Sequence, residues 1–404
     1  MTILDIRVLL VWSIVSIVVA PCFLVTVDAQ ETRPWGIERV HAQCVWDKNN
    51  DTAVDEGANA GQYTGSNENV TVAIIDTGVN SSHPDLQDNI IGGRRFYQEE
   101  SSHIVHDDAD YGDVDGHGTA VAGIVAAVDN DDGVIGTAPR VQIFIMKLYK
   151  QSQYEAAAAI NYAVEHNCKI ISISFGWPTN ITELFFACQN AYNNNVFIVA
   201  AAGNDNKTND IDYPAKYDNY VLAVGATNQN DSRWTNPEIG YGSDMGPELN
   251  LMAPGEGINT TALDGGYGNF DMTSAATPHV AGVVALMWAG RVDDDWDGLN
   301  LGEWNVCELY SKLVNKTLDL GQPGRDDEFG EGLVNAWRAC QVPEGDLDDS
   351  FNVDLFDIVI VARAFGSQPN ESEWNPLANI NIDEYIDIFD IVIVAANFGK
   401  VDQP

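Results

Sequence analysis

Between about residues 70 and 290 the chain alternates short, wholly apolar runs with stretches whose apolar residues recur at helical spacing. No other feature constrains the fold as tightly. Segments 70–75, 141–148, 169–175, 196–201 and 220–226 read as strands. Segments 119–128, 154–165 and 184–192 read as helices, with Val121, Ile124, Val125 and Val128 on one stripe. Strands without polar alternation have no face to offer water, and parallel neighbours need long, usually helical crossovers. The expected class is α/β, with a mostly parallel sheet covered on both faces. In such sheets ligands bind beyond the carboxyl ends of the strands, so the residues after each apolar run are where chemistry is sought.

Charge narrows the partners. The 404 residues carry 60 Asp and Glu against 20 Lys and Arg, a net −40, which argues against nucleic acid as a ligand. Residues 1–29 stand apart: Arg7 precedes an apolar run from Val8 to Val27, and Val27-Asp28-Ala29 offers a cleavage site. This reads as a secretory signal peptide, which places the mature protein outside the cell or on its surface. No later segment approaches the roughly 18 consecutive apolar residues of a membrane span. Removing the leader leaves Cys44, Cys168, Cys188, Cys307 and Cys340, an odd number with no Cys-x-x-Cys, so a zinc ribbon or thioredoxin-type site has no support. Export permits disulfides, and the expected pairs are Cys168 with Cys188 and Cys307 with Cys340.

Composition shifts again at Val342-Pro343-Glu344-Gly345. Beyond it, the run starting at Asp354 (DLFDIVIVARAFG) returns at Asp387 (DIFDIVIVAANFG), an offset of 33 residues. Two copies of one unit imply a small domain over 342–404, after a main domain over 30–341.

Four segments of the main domain carry reactive groups. Ala73-Ile74-Ile75-Asp76-Thr77-Gly78 ends a strand with a carboxylate; Asp115-Gly116-His117-Gly118 sets an imidazole between glycines at a helix start. Val199-Ala200-Ala201-Ala202-Gly203-Asn204 ends a later strand with an amide, and Thr273-Ser274 opens an apolar helix with a hydroxyl. Attack by serine on an amide needs a base for the hydroxyl proton, a carboxylate to fix the imidazole, and donors for the developing oxyanion. His117, Asp76 and Asn204 supply these around Ser274, whose helix N-terminus also favours negative charge. Asp76-Thr77-Gly78 would also suit half an aspartic protease site, but no second Asp-Thr-Gly or Asp-Ser-Gly exists to share a proton. His279 is nearer Ser274 in sequence, yet five helical residues at about 100° each turn it away, so it reads as structural.

These segments resemble the subtilisin-like serine proteases, in the chain order Asp, His, Ser. His83-Pro84-Asp85-Leu86, Tyr213-Pro214-Ala215, Val224-Gly225-Ala226-Thr227, Met252-Ala253-Pro254-Gly255 and Gly332-Leu333-Val334-Asn335 extend the resemblance over about residues 33–340. It implies a three-layer αβα fold and endopeptidase activity. Asp76 would orient His117, His117 would act as base, Ser274 would attack, and Asn204 with the Ser274 N–H would hold the oxyanion. Ser174, Phe175 and Gly176, with Ala201, Ala202 and Gly203, match segments that pair with a polypeptide substrate as strands. Met272 and Ala275 depart from the family, which has Gly and Met there. No prodomain-sized segment separates the leader from Arg33-Pro34-Trp35-Gly36. These departures keep a catalytically silent assembly protein as the rival reading.

Calcium is the expected cofactor. Asp293, Asp295 and Asp297 alternate before Gly298, with Asn300 and Glu303 following, and Asp47, Asn49 and Asp51 form a second alternating set. The 342–404 repeat resembles dockerin modules, small α-helical domains of paired EF-hand-like loops. The resemblance implies one loop with Asp346, Asp348, Ser350, Asp354 and Asp357, and a second with Asn379, Asn381, Asp383, Asp387 and Asp390. Phe351 and Glu384 stand where such loops carry glycine. A cohesin-like protein would be the docking partner.

Overall fold

The computed structural model describes residues 31–46, 70–100, 102–290 and 305–340 and, nearer the C-terminus, Val353, 355–367, Ala378 and 385–398. The leader at 1–29 lies outside the described residues, and no described helix is long and apolar enough to cross a membrane. In chain order the elements are α1 (Trp35–Arg39), α2 (Gln43–Trp46), β1 (Thr71–Asp76), β2 (Ile90–Gln98), β3 (Val105–Asp108), α3 (His117–Ala126) and β4 (Gln142–Leu148). Then follow α4 (Gln153–Glu165), β5 (Ile170–Ile173), α5 (Thr182–Asn193), β6 (Phe197–Ala201), β7 (Val221–Thr227), β8 (Thr235–Asn236), β9 (Tyr241–Gly242) and β10 (Leu251–Pro254). The remainder are β11 (Ile258–Thr261), β12 (Tyr267–Phe270), α6 (Thr273–Gly290), α7 (Val306–Asn315), α8 (Ala336–Cys340), α9 (Leu355–Ala364) and α10 (Ile388–Asn397).

The main sheet runs β10-β7-β6-β5-β1-β4-β2-β3, parallel throughout except for β3 against β2. Side chains along a strand alternate between faces, and β1 shows what that does here. Val72 and Ile74 enter a cluster with Val121 and Val125 of α3 and Val283 and Leu286 of α6. Ala73 and Ile75 enter another with Ile160 of α4 and Leu184 of α5. Both faces are dry, so the sheet is the middle of three layers. Full burial of each such aliphatic side chain stabilises by about 1.5–3 kcal/mol. The shell closes between distant parts of the chain: Ala336 N donates to Val40 O at 2.7 Å, and Trp46 Nε1 to Thr137 O at 3.1 Å.

The five apolar runs form β1, β4, β5, β6 and β7. β5 stops at Ile173, short of the expected end, because Ser174-Phe175-Gly176 leaves the sheet. β2 escaped the sequence reading: Gly92, Gly93, Arg94 and Arg95 break its apolar pattern near the sheet edge, where much of the strand is only partly buried. The expected disulfides are corrected. Cys168 and Cys188 are free thiols buried among apolar side chains, and burial pushes the Cys168 thiol up to about 12. Cys307 is an exposed free thiol bonded to the Tyr192 hydroxyl at 2.8 Å, and Cys340 is a partly buried free thiol whose desolvation pushes it up to about 12.

Nearer the C-terminus, α9 and α10 pack through Val361 and Val394, residues at the same place in the two repeat copies. Asp387 caps α10 by accepting from Phe389 N at 2.7 Å, and Asp390 accepts from Asp387 N at 2.8 Å.

One buried acid tests how the layers are joined. Glu155 is wholly buried at the start of α4. Its carboxylate accepts from Gln98 N at 2.9 Å, Lys150 N at 2.8 Å and Ser152 N at 3.4 Å, while Ser152 Oγ accepts from Glu155 N. Glu155→Ala strands these donors at about 1–3 kcal/mol each where no water reaches. Urea unfolding should show a loss of about 2–4 kcal/mol.

Candidate active site

Asp76 is the last residue of β1, and its side chain is completely buried. Its Oδ1 accepts from Thr77 N at 2.8 Å and from His117 Nδ1 at 2.8 Å. His117 opens α3 after Gly116, whose φ of 104° suits glycine. Gly118 explains the next step in the sequence. A Cβ there would stand 2.2 Å from Gly78 O, so only glycine lets α3 approach β1 closely enough for the imidazole to reach the carboxylate. Thr77 Oγ1 accepts from Gly118 N at 2.8 Å and fixes that approach. Burial lowers the His117 pKa, but the charge and hydrogen bond of Asp76 outweigh it, so the imidazole lies above its ordinary value. Phe175 stacks on the ring at a centroid distance of 5.2 Å, and Phe270 meets it edge-on at 5.1 Å.

Ser274 is the second residue of α6, where position leaves its N–H without an intrahelical acceptor. Its Oγ donates to Ser174 O at 3.1 Å, while Ser174 Oγ donates to Ser274 O at 3.1 Å. That second bond is possible because Pro278, four residues on, has no N–H to occupy the Ser274 carbonyl. Asn204 Oδ1 accepts from Thr273 N at 3.0 Å and Thr273 Oγ1 at 2.8 Å. A backbone N–H can only donate, so the amide oxygen faces Thr273 and the Nδ2 donors face away from it. Asp76, His117, Phe175, Ser174, Ser274, Thr273 and Asn204 thus form one continuous set of contacts at the carboxyl ends of the strands. His279 lies wholly inside, donating from Nδ1 to Ala275 O at 2.8 Å, with burial lowering its pKa to about 4. That is a structural histidine.

Ala201, Ala202 and Gly203 leave β6 opposite Ser174-Phe175-Gly176. Asp212 N donates to Ala202 O at 2.8 Å and Asp244 N to Gly203 O at 2.9 Å; Trp177 and Tyr213 exchange backbone bonds of 2.9 and 2.8 Å. Sequence reading missed what these bonds position. Lys207 Nζ stands 2.7 Å from Asp212, 3.2 Å from Asp205 and 3.3 Å from Asp244. The ammonium already occupies the space between the three carboxylates, which argues against a divalent ion there. Burial pushes the Asp244 carboxyl up to about 6. Scattered over 205–244, these residues have no motif; the only signal was an Asp directly after Asn204.

A second acidic group was also missed. Glu31, pushed up to about 8 by burial and by the Asp129 and Asp85 charges, accepts from Asn130 N at 3.0 Å. Asp85 accepts from Asn130 Nδ2 at 3.1 Å and Val134 N at 3.0 Å. Of the expected metal ligands, Asp293, Asp295, Asp297, Asn300, Glu303, Asp47, Asn49, Asp51, Asp346, Asp348, Asp354 and Asp383 lie outside the described residues. Asp357 and Asp390 are buried in the α9–α10 pair, with Asp387 at its α10 cap.

Met272 has φ +75°, a left-handed backbone two residues before Ser274, where a side chain is strained by about 1–3 kcal/mol. Its carbonyl accepts from Ala275 N at 3.0 Å and its N–H donates to Gly255 O at 2.8 Å, which holds the conformation in place. Comparing Met272→Gly with Met272→Ala removes the side chain in both and isolates the backbone. The glycine variant should be the more stable by about 1 kcal/mol in urea unfolding, despite its more flexible unfolded chain.

The subtilase family matches residues 67–332. The chain is 36% identical to an intracellular serine protease of Paenibacillus polymyxa, over 74% of this chain and 84% of that one. It is 38% identical to the major intracellular serine protease of Bacillus subtilis, over 63% and 77% respectively. To subtilisin E of the same species it is 36% identical, over 69% and 67%. A match covering most of the chain, on a parallel sheet whose strand ends gather these groups, makes this protein a member of the subtilase family, a subtilisin-like serine peptidase.

Proposed function

We propose that the protein is an exported endopeptidase whose acylating residue is Ser274. The carrying observation is the buried Asp76–His117 hydrogen bond beside a serine and an amide whose donors are free to face an oxyanion. In the reaction the Ser274 hydroxyl leaves its bond to Ser174 O and passes its proton to neutral His117 as Oγ attacks the peptide carbonyl. Asp76 holds the imidazole by Nδ1 and stabilises the imidazolium. Asn204 Nδ2 and Ser274 N donate to the oxygen, and His117 then protonates the departing amine. Ser174-Phe175-Gly176 and Ala201-Ala202-Gly203 take the polypeptide between them.

A fluorophosphonate should label the protein at Ser274, and Ser274→Ala should abolish both labelling and casein cleavage. Full activity in that variant sinks the assignment. For Asn204→Leu the loss known for the equivalent donor of subtilisin, about 10²–10³ in kcat, sets the expected size. Because His117 must be neutral and Asp76 raises its pKa, kcat/KM should rise with pH through a midpoint above about 6.5. A midpoint in the carboxylate range would remove the histidine base.

Structural calcium fits the crowding of Glu31, Asp85 and Asp129, whose like charges help push the Glu31 pKa up. Bound there, it would tie the segment before α1 to the 129–134 loop. The 293–303 and 47–51 loops are further candidates. Chelator should lower Tm by removing a ligand that binds only the folded state. Glu31→Gln should blunt that fall, whereas an unchanged fall assigns the ion elsewhere.

The 342–404 segment is read as a docking module for a cohesin-like protein, with the leader directing export. What supports docking is symmetry of exposure. Leu355 and Ile388, Val359 and Val392, and Phe365 and Phe398 are exposed apolar residues at matching places in both copies.

A further inference from the structure

The mechanism leaves one question open on the page, namely what the substrate residue that donates the attacked carbonyl meets with its side chain. On the reading above, that carbonyl lies between Ser274 and Asn204. The side chain one bond away then enters between Ser174-Phe175-Gly176 and Ala201-Ala202-Gly203. The walls of that gap are glycine for a visible reason. A Cβ on Gly176 would fall 2.6 Å from Asp212 Cβ and 3.0 Å from its Oδ2, and a Cβ on Gly203 would fall 2.3 Å from Asp244 Oδ2. Two aspartates press against the two substrate-binding segments, each tied to the second segment by its own N–H.

The charge there is unbalanced. Asp205, Asp212 and Asp244 surround a single ammonium, that of Lys207, so carboxyl groups outnumber the cation by two. The nearby Lys216 does not make up the difference, because it pairs with Asp210. Asp244 is completely buried, and its Oδ2 accepts no well-aligned hydrogen bond, meeting only the shared Lys207 ammonium at 3.3 Å. A buried carboxylate oxygen served only by an ammonium shared among three carboxylates is costly, and a second cation arriving with the substrate would satisfy it. Lys207 shows the site's preference, since a flexible alkyl chain ending in an ammonium already lies there. It is about a quarter exposed, so it has an open side toward which to move.

We infer that the cleft selects a lysine or arginine immediately before the scissile bond, with Asp212 and Asp244 as counter-ions and Lys207 as a resident cation that yields to it. A leucine or phenylalanine in that position would leave the carboxylates facing a hydrocarbon, whereas a guanidinium or ammonium completes their bonds. Glutamate would add like charge. The inference rests on the assignment of Ser274 and of the two binding segments.

The test uses the full chain and five p-nitroanilide peptides that differ only in the last residue: Lys, Arg, Phe, Leu or Glu. The Lys and Arg peptides should exceed Phe and Leu in kcat/KM at least tenfold, with Glu lowest. Asp212→Asn should lower the Lys-to-Phe ratio at least tenfold. Lys207→Met should raise it, because the competing ammonium is gone. As a check that needs no variant, benzamidine should inhibit cleavage of the Phe peptide competitively. A protein that labels at Ser274 yet prefers Phe or Leu, or that ignores benzamidine, overturns the specificity and leaves the peptidase assignment standing. Failure of fluorophosphonate labelling overturns both.

Discussion

The close approach of α3 to the end of β1 is the contact on which the site depends. It works only because residue 118 lacks a side chain, since a methyl group there would meet the Gly78 carbonyl at 2.2 Å. With the backbones that near, Thr77 can accept from Gly118 N and His117 can bond the buried Asp76. The dry interior strengthens that bond, and the bond raises the imidazole pKa against the opposing effect of burial. In water the same pair would be screened to little effect. The sheet contributes by being parallel, which brings the ends of β1, β5 and β6 to one rim. There, residues far apart in sequence meet, with Met272 held in a strained backbone conformation beside them.

Much of this was legible in the sequence, and the reasons differ by element. β1, β4, β5, β6 and β7 declared themselves because both faces are largely buried, so their central residues had to be apolar or small. β2 hid because a partly exposed strand, next to the edge strand β3, tolerates Gly92, Gly93 and two arginines. Asp76, His117, Asn204 and Ser274 could be proposed because each lies at or just beyond the end of an element and sits in a local signature. Lys207, Asp205, Asp212 and Asp244 could not, since they converge from loops whose paths only the fold determines. The cysteine pairing failed for a related reason. Cys168 and Cys188 lie in one apolar layer as small hydrophobic side chains, so burial rather than cross-linking accounts for them.

The acidity of the chain also has more than one local meaning. Some carboxylates are joints: Glu155 ties α4 to β2, and Asp113 accepts from Thr119 Oγ1 at 2.6 Å and from Asp115, Gly116 and Thr119 N–H groups. Burial opposes ionisation of Asp113, yet those donors hold its pKa below the ordinary value. Others crowd without enough donors, as at Glu31, and there burial and like charge push the pKa up. The distinction between a satisfied and an unsatisfied acid carries more information than the net charge of −40.

The bond between Ala336 and Val40 has a consequence in time. It joins residues almost three hundred positions apart, and the helix carrying Ser274 packs against strands that left the ribosome long before it. Structures dominated by such distant pairings fold slowly, because a long stretch of chain must be brought together before the contacts that stabilise it can form. Synthesis runs from the N-terminus, so Asp76 and His117 emerge and can pair while Ser274 is still unmade. With Ser274 as the proposed nucleophile, the peptidase would be inert through most of its own production and become competent late. This ordering spares the half-folded chain, and its neighbours, from its own activity.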